Sequence, residues 1–138
     1  MDFKYHDLNI HYVAEGKGPP VVFLHGWGAN LKTFDRIVPN LINHYTVYRI
    51  DLPGFGKSDA LTNSFSLDDY TAFLDSFVGI LKLDSPVLIG HSFGGKIILS
   101  YLLKNPNIKK AVLISSSGIR RPLSLKKRLQ VAWFKAKK

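Results

Sequence analysis

Hydrophobic residues along this chain fall into short continuous runs. Four such runs, at residues 21–24, 45–50, 86–89 and 110–114, each end in a polar or glycine-containing turn. Continuous runs of this length are typical of strands that are buried on both faces of a parallel sheet. Residues 8–13 instead alternate between apolar and polar, which predicts a half-exposed strand near an edge of that sheet.

Between these runs, apolar residues recur at helical spacing. Segments 31–42, 67–83 and 94–103 show the pattern, and Ser66 with Asp69 three residues later forms a good helix start. Strands that alternate with helices indicate βαβ units. We therefore predict an α/β fold, a mostly parallel sheet flanked by helices. Its informative turns follow the strands, at the edge where open α/β sheets bind ligands.

Composition narrows the class of protein. The chain has 138 residues, of which 46% are hydrophobic, so it is expected to form one domain or a piece of a larger one. It has no cysteine, which excludes disulfides and thiolate zinc sites. No leader-like segment and no run of about 18 apolar residues is present. We expect a soluble, cytoplasmic protein without a cofactor.

Charge is distributed unevenly along the chain. The net charge is +9, and residues 96–138 hold 12 Lys and Arg but no acidic residue. A basic end of this kind can bind nucleic acid or a membrane surface, but a solvated helix face explains it equally well. We therefore expect no nucleic-acid partner.

One glycine-rich motif carries specific chemistry. Gly-His-Ser-Phe-Gly-Gly at 90–95 directly follows a predicted strand and leads into a predicted helix, the context that a nucleophile elbow requires. Glycines on both sides of Ser92 relieve crowding in such a tight turn. The helix start directs free N–H groups to the position where an oxyanion forms, and the Phe93 N–H is the first candidate donor. The alternative is a turn that only lets a helix pack on a strand.

A second turn can complete the oxyanion hole. Leu-His-Gly-Trp-Gly at 24–28 follows the strand 21–24, and the Trp27 N–H is the candidate second donor. Each such donor contributes about 3–4 kcal/mol to the transition state of acyl transfer. His25 is expected to hold this loop rather than act as a base. The third turn, at 51–59, lacks the Gly-x₄-Gly-Lys-[Ser/Thr] pattern of a nucleotide site.

Together with Asp-Leu-Pro-Gly-Phe-Gly-Lys-Ser-Asp at 51–59, these motifs resemble the α/β-hydrolase superfamily over about residues 8–118. The resemblance is to bacterial esterases, lipases and carbon–carbon bond hydrolases, and implies a small ester or related acyl substrate. It further implies that Ser92 is the nucleophile, that Trp27 and Phe93 form the oxyanion hole, and that the 51–59 turn is structural. A serine argues against the aspartate-dependent dehalogenases and epoxide hydrolases of this fold.

The chain departs from the family in its catalytic triad. In the family, an acidic residue and then a histidine follow the serine, but residues 93–138 contain no His, Asp or Glu. His91 adjoins Ser92 and is a poor base, because neighbouring side chains on a tight turn point apart. The sequence is therefore expected to be the N-terminal half of a truncated hydrolase with little activity alone. A non-catalytic binding module and a half-enzyme completed by another chain are the alternatives.

The expected domain division is a core part at 1–118 and the start of a lid helix at 119–138. In the second segment, an apolar face is surrounded by Lys and Arg; its members are Leu125, Leu129, Ala132, Trp133 and Ala136. Contact with an anionic membrane or docking to a partner would also fit this pattern, and the pattern sets no oligomeric state. The strand 110–114 would leave an apolar sheet edge uncovered.

Overall fold

Ten secondary-structure elements form the part of the chain that the structure, a computed structural model, describes: residues 1–106, 108 and 110–118. They are six strands, two α-helices and two short 3₁₀ turns. In chain order they are β1 Asp2–Tyr5, β2 Leu8–Gly16, β3 Pro20–Leu24, the 3₁₀ turns Leu31–Phe34 and Val38–Asn40, β4 Thr46–Ile50, α1 Leu67–Ile80, β5 Val87–His91, α2 Phe93–Lys104 and β6 Ala111–Ile114.

The six strands form one sheet in the order β1-β2-β4-β3-β5-β6. Strands β3, β4, β5 and β6 are parallel to one another, whereas β1 and β2 pair antiparallel at one side. The predicted α/β fold with a mostly parallel sheet is therefore confirmed. Because β4, β3 and β5 are neighbours, the turns that follow them meet at one edge of the sheet.

The two faces of the sheet are covered differently. Helices α1 and α2 pack on one face, where Val22 and Leu24 of β3 are fully buried with helix residues such as Phe77. Val21 and Phe23 of β3 point to the other face, into a smaller cluster beneath the 3₁₀ turns. Strand β3 is thus buried on both faces, as its continuous apolar run predicts.

Helix α1 begins where the sequence predicts. The Ser66 hydroxyl accepts a hydrogen bond from the Asp69 N–H at 3.2 Å, and the Asp69 carboxylate accepts one from the Ser66 N–H at 2.7 Å. These reciprocal bonds form a capping box. The helix ends at Ile80 rather than at residue 83.

The prediction of a helix over 31–42 is wrong, because two separate 3₁₀ turns occupy this segment. Pro39 lies in the second turn, and a proline inside a continuous α-helix would clash with the carbonyl four residues earlier, here that of Asp35. The Asp35 carboxylate instead forms an ion pair with the buried Arg49 of β4. This contact holds the segment against the sheet.

The two ends of the described sheet bear on the sequence predictions. Strand β1 was not predicted; it forms the edge, and β2 lies next to it, near the edge as its alternating pattern predicts. Strand β6 pairs only with β5 among the described residues, and Val112 is 47% exposed there. The segment 119–138, where the start of a lid helix is expected, lies outside the described residues, so the domain division stays a prediction. Within the part that is described, no helix is both long and apolar enough to cross a membrane.

Candidate active site

Ser92 stands between β5 and α2 in a strained backbone conformation. Its φ is 49° and its ψ is −107°, in the left-handed region that costs a residue with a side chain about 1–3 kcal/mol. Such geometry persists only where the surrounding structure enforces it. Ser92 is therefore held in place by its neighbours rather than by its own preference.

Two glycines make this turn possible. A Cβ on Gly90 would lie 2.5 Å from the nitrogen of Gly95, and a Cβ on Gly94 would overlap the carbonyl oxygen of Leu24. Both obstacles are backbone atoms, which cannot move aside as a flexible side chain can. The motif around Ser92 thus requires glycine on both sides, as the sequence predicts.

The start of α2 leaves two polar groups unengaged. Ser92 is the N-cap residue, but its side chain makes none of the capping hydrogen bonds that serine usually provides there. The Gly94 N–H donates to the His25 carbonyl at 3.1 Å. The Phe93 N–H has no partner among the described residues. The Ser92 hydroxyl and this N–H are therefore available to a ligand.

His25 holds the loop that follows β3. It is fully buried; its Nδ1–H donates to the Gly26 carbonyl at 2.7 Å, and its Nε2 accepts from the Leu52 N–H at 3.0 Å. The Leu52 bond requires an unprotonated Nε2, which fixes the neutral tautomer. Burial lowers the pKa of His25. Both ring nitrogens are engaged, so His25 is structural, as expected, and is no base for Ser92.

The same loop lies directly against the serine. A Cβ on Gly26 would stand 3.4 Å from the Cβ of Ser92. The next residue, Trp27, packs its ring edge-on to Phe93, with ring centroids 5.1 Å apart. The backbone N–H of Trp27 has no partner among the described residues. The structure therefore brings Ser92, Trp27 and Phe93 together. Their catalytic roles stay predictions.

Aromatic rings surround the serine on one side. Trp27 is 68% exposed and also contacts Phe55, with centroids 5.0 Å apart. Phe93 contacts Tyr70 at 5.1 Å, and the Tyr70 hydroxyl donates to the Pro53 carbonyl at 3.1 Å. These contacts produce an apolar wall with one large exposed ring beside the reactive position.

The 51–59 turn is tied into the fold by its own hydrogen bonds. Buried Asp51 accepts from the Leu31 N–H at 2.8 Å and from the Lys57 N–H at 2.9 Å. The Ser58 hydroxyl donates to the Asp51 carbonyl at 2.6 Å. A Cβ on Gly56 would overlap the Asp51 carboxylate. These bonds support the structural role that the resemblance implies for this turn.

The site contains no complete catalytic triad in the described residues. The ring of His91 packs against Gly26, its Nδ1 3.0 Å from where a Cβ would stand, and this buried nitrogen has no partner there. Residues 93–138 contain no His, Asp or Glu. Across the described ranges, no three His, Asp or Glu side chains are grouped so as to hold a metal ion.

One contact to the serine was not predicted from the sequence. The turn after β6, residues 115–118, reaches the elbow, where the N–H and hydroxyl of Ser117 both donate to the Ser92 carbonyl. Its signal in the sequence is Ser-Ser-Ser-Gly directly after a strand, at the ligand-binding edge. A polar turn of this kind has no hydrophobic periodicity from which its contacts could be predicted.

Comparison with known proteins identifies similar sequences and structures. A profile described as alpha/beta hydrolase fold matches residues 19–135. The pimeloyl-[acyl-carrier protein] methyl ester esterase of Chromobacterium violaceum is 33% identical over 111 residues, and the soluble epoxide hydrolase of Corynebacterium sp. is 30% identical over 105 residues. An esterase structure from Exiguobacterium antarcticum superposes with a TM-score of 0.77 at 30% identity.

These matches cover most of this chain but only part of each relative. The two enzymes match 80% and 76% of this chain, which spans 42% and 37% of their respective lengths. The esterase structure covers 94% of this chain, and 52% of that structure is matched. The profile match at residues 19–135 includes β3 to β6, the three glycine-rich turns and Ser92.

Proposed function

Because the chain belongs to the α/β-hydrolase fold family, we propose that it provides the nucleophile of a hydrolase that cleaves a small ester or related acyl compound. Its relatives are hydrolases and esterases of this fold. They share the fold but not one reaction, since an epoxide hydrolase is about as similar as an esterase. The proposal therefore depends on the site rather than on the degree of similarity.

One observation carries the proposal: a strained serine at a helix start whose hydroxyl caps nothing. A serine at this position ordinarily accepts a hydrogen bond from its own helix. Here that bond is absent in the described structure, while the strain of the elbow is retained. Strain that brings no structural benefit is a feature of functional sites.

In the proposed reaction, the Ser92 Oγ attacks the carbonyl carbon of the substrate, and its proton passes to a general base. The carbonyl π electrons move to the oxygen, which the N–H groups of Trp27 and Phe93 stabilise as an oxyanion. The carbonyl re-forms, and the alcohol leaves with a proton from the protonated base. Water then hydrolyses the acyl-enzyme by the same steps.

The proposal assigns the acid and the histidine to residues other than these 138, either elsewhere in the same protein or in a second chain. In the described structure, His25 is fully engaged and Asp51 binds two backbone N–H groups. Without these partners, acylation should be about 10⁴–10⁶ times slower than with a complete triad. We expect residual reaction with strongly activated acyl or phosphonyl compounds.

The aromatic wall suggests the class of acyl group. Trp27, Phe55 and Phe93 present apolar surface beside Ser92, and the His25 ring that packs edge-on to Phe55 is buried and held neutral by its hydrogen bonds. We therefore propose that the acyl group of the substrate is uncharged and apolar.

Covalent labelling tests the proposal. The chain, its Ser92→Ala variant and a Ser64→Ala control are incubated with a fluorophosphonate, and the modified residue is located by mass spectrometry. Ser64 is exposed and lies outside the site. We expect slow labelling of the unsubstituted chain and the control at residue 92, and none of Ser92→Ala.

Other outcomes select the alternatives. Labelling or p-nitrophenyl acetate turnover that survives Ser92→Ala would remove Ser92 from the mechanism. Saturable binding of an acyl compound that is unchanged by Ser92→Ala, without acylation, would favour a non-catalytic binding module. That alternative has one observation in its support, the absence of His, Asp and Glu from residues 93–138.

A further inference from the structure

Four hydrogen bonds hold the backbone of Ser92. Its N–H donates to the Ile114 carbonyl at the end of β6, at 3.0 Å. Its carbonyl accepts from the Lys96 N–H at 3.2 Å, which is the first bond of helix α2. The same carbonyl also accepts from the Ser117 N–H at 3.1 Å and from the Ser117 hydroxyl at 3.2 Å. Three of the four bonds thus come from β6 and the turn that follows it.

These hydrogen bonds hold Ser92 in its strained backbone conformation. The φ and ψ of Ser92 are unfavourable for a residue with a side chain, and such a conformation relaxes unless contacts on both sides enforce it. Bonds to the N–H and to the carbonyl fix the two peptide planes that flank the Ser92 Cα. Their orientation determines where the Oγ can point.

The turn is itself locked to the start of α2. The Ser116 hydroxyl lies 2.5 Å from where a Cβ on Gly95 would stand, so only glycine at 95 admits this approach. The Ser116 hydroxyl also donates to the Ser117 carbonyl at 3.0 Å. These contacts fix the position of Ser117 relative to Ser92, although the side chain of Ser117 is exposed.

We propose that Ser117 is a positioning residue, whose hydroxyl and N–H hold the peptide plane of Ser92 so that the Oγ faces the acyl carbon. This inference rests on the proposed role of Ser92 as nucleophile. Ser117 acts through the Ser92 backbone and makes no contact with substrate. Its loss is expected to slow the covalent step and to leave the binding of the acyl compound unchanged.

The test compares Ser117→Ala, Ser117→Thr and Ser115→Ala with the unsubstituted chain. Threonine keeps the hydroxyl, and the exposed position accommodates its methyl group. Ser115 lies in the same turn, and its hydroxyl makes no hydrogen bond to a described residue, so it is the matched control. Hydrogen–deuterium exchange at the Ser92 and Lys96 amides reports the backbone. Fluorophosphonate labelling gives the maximal rate constant and the half-saturating concentration separately.

We expect Ser117→Ala to speed exchange at the two amides about fivefold, the factor that corresponds to one hydrogen bond. The maximal labelling rate should fall about three- to tenfold through misorientation, with the half-saturating concentration unchanged. Threonine should restore both values, and Ser115→Ala should alter neither.

Unchanged exchange in Ser117→Ala overturns the proposal, and so does faster exchange with an unchanged labelling rate, which would make Ser117 merely structural. If the unsubstituted chain is not labelled at Ser92, the proposed function fails instead. The exchange comparison then decides by itself whether Ser117 holds the Ser92 backbone.

Discussion

The glycine-rich turn after β4 and the pair of turns after β3 and β5 lie side by side at one sheet edge, yet their polar groups are used in opposite ways. In the 51–59 turn, Asp51 accepts two N–H groups, and the Phe55 N–H donates to the Leu52 carbonyl at 2.9 Å. Beside Ser92, the N–H groups of Trp27 and Phe93 have no partner among the described residues.

This difference separates a structural turn from a candidate site better than glycine content does. Polar groups inside a protein are nearly always hydrogen-bonded. In the 51–59 turn each backbone N–H except that of Gly56 has a partner among the described residues, so this turn has little left for a ligand. Two unengaged donors beside a strained serine are available for an oxyanion. Changing one polar group at a time tests whether the two kinds of turn differ in this way.

The largest effect is expected when the Phe93 amide is replaced by an ester, through incorporation of phenyllactic acid at that position. This removes the N–H and also makes the Ser92 carbonyl, which accepts hydrogen bonds from Lys96 and Ser117, a weaker ester acceptor. Because the lost N–H has no partner among the described residues, the free energy of unfolding should fall by only about 1 kcal/mol, through the weakened acceptor. The maximal fluorophosphonate labelling rate should fall about 10²–10³-fold, far more than the three- to tenfold that misorientation of Ser92 would cause.

The same replacement at Phe55 is the control. There the lost N–H is bonded to Leu52, so the free energy of unfolding should fall by about 1 kcal/mol with the labelling rate retained. If the two ester variants were labelled at equal rates, the oxyanion role of the Phe93 N–H would be contradicted. The two turns would then not differ in function.

The next effect in size concerns Asp51. Its replacement by alanine leaves the N–H groups of Leu31 and Lys57 without their acceptor, which should lower the free energy of unfolding by roughly 3 kcal/mol or more. Urea unfolding measures it. Asp84→Ala, at an exposed position, should change stability by less than about 0.5 kcal/mol. A similar small change for Asp51→Ala would show that the turn is not held by its carboxylate.

The smallest effect is a pH dependence from His25, which bonds both turns through Gly26 and Leu52. Burial lowers the pKa of His25 in the folded state, so the unfolded chain takes up a proton first. Stability should be full above about pH 6.5, the unfolded value, and should decrease as the pH falls below it. Urea unfolding from pH 8 to pH 5 measures this.

His25→Gln, which cannot be protonated, should remove most of that decrease, whereas His44→Gln, at an exposed position, should retain it. If the two variants show the same pH profile, the link that His25 makes between the turns does not depend on a neutral ring.

Much of the fold is readable from the sequence because its signals are local. The continuous apolar runs predict β3, β4, β5 and β6, and the cap at Ser66 predicts the start of α1. The failure over 31–42 is also instructive. Apolar spacing there matches a helix, but Pro39 interrupts it and Arg49, distant in sequence, binds Asp35.

The candidate site is predictable for a similar reason, since each of its turns follows its strand directly. Ser92, Trp27 and Phe93 are brought together as predicted. The contribution of Ser117 was missed, because its contact with Ser92 spans 25 positions of sequence. Neither segment has a periodicity or a motif that predicts the contact between Ser117 and Ser92.

The sequence alone thus predicted the strands, the turns that follow them and the position of Ser92, because hydrophobic period, glycine placement and helix caps act over a few residues. Which backbone N–H groups of these turns have a hydrogen-bonding partner was settled by the tertiary structure. That depends on where the hydrogen-bonding partners of each N–H lie, and strand order rather than sequence distance sets their position. The sequence predicts the position of Ser92. The hydrogen bonds that hold its backbone form because β6 pairs with β5 in the folded chain.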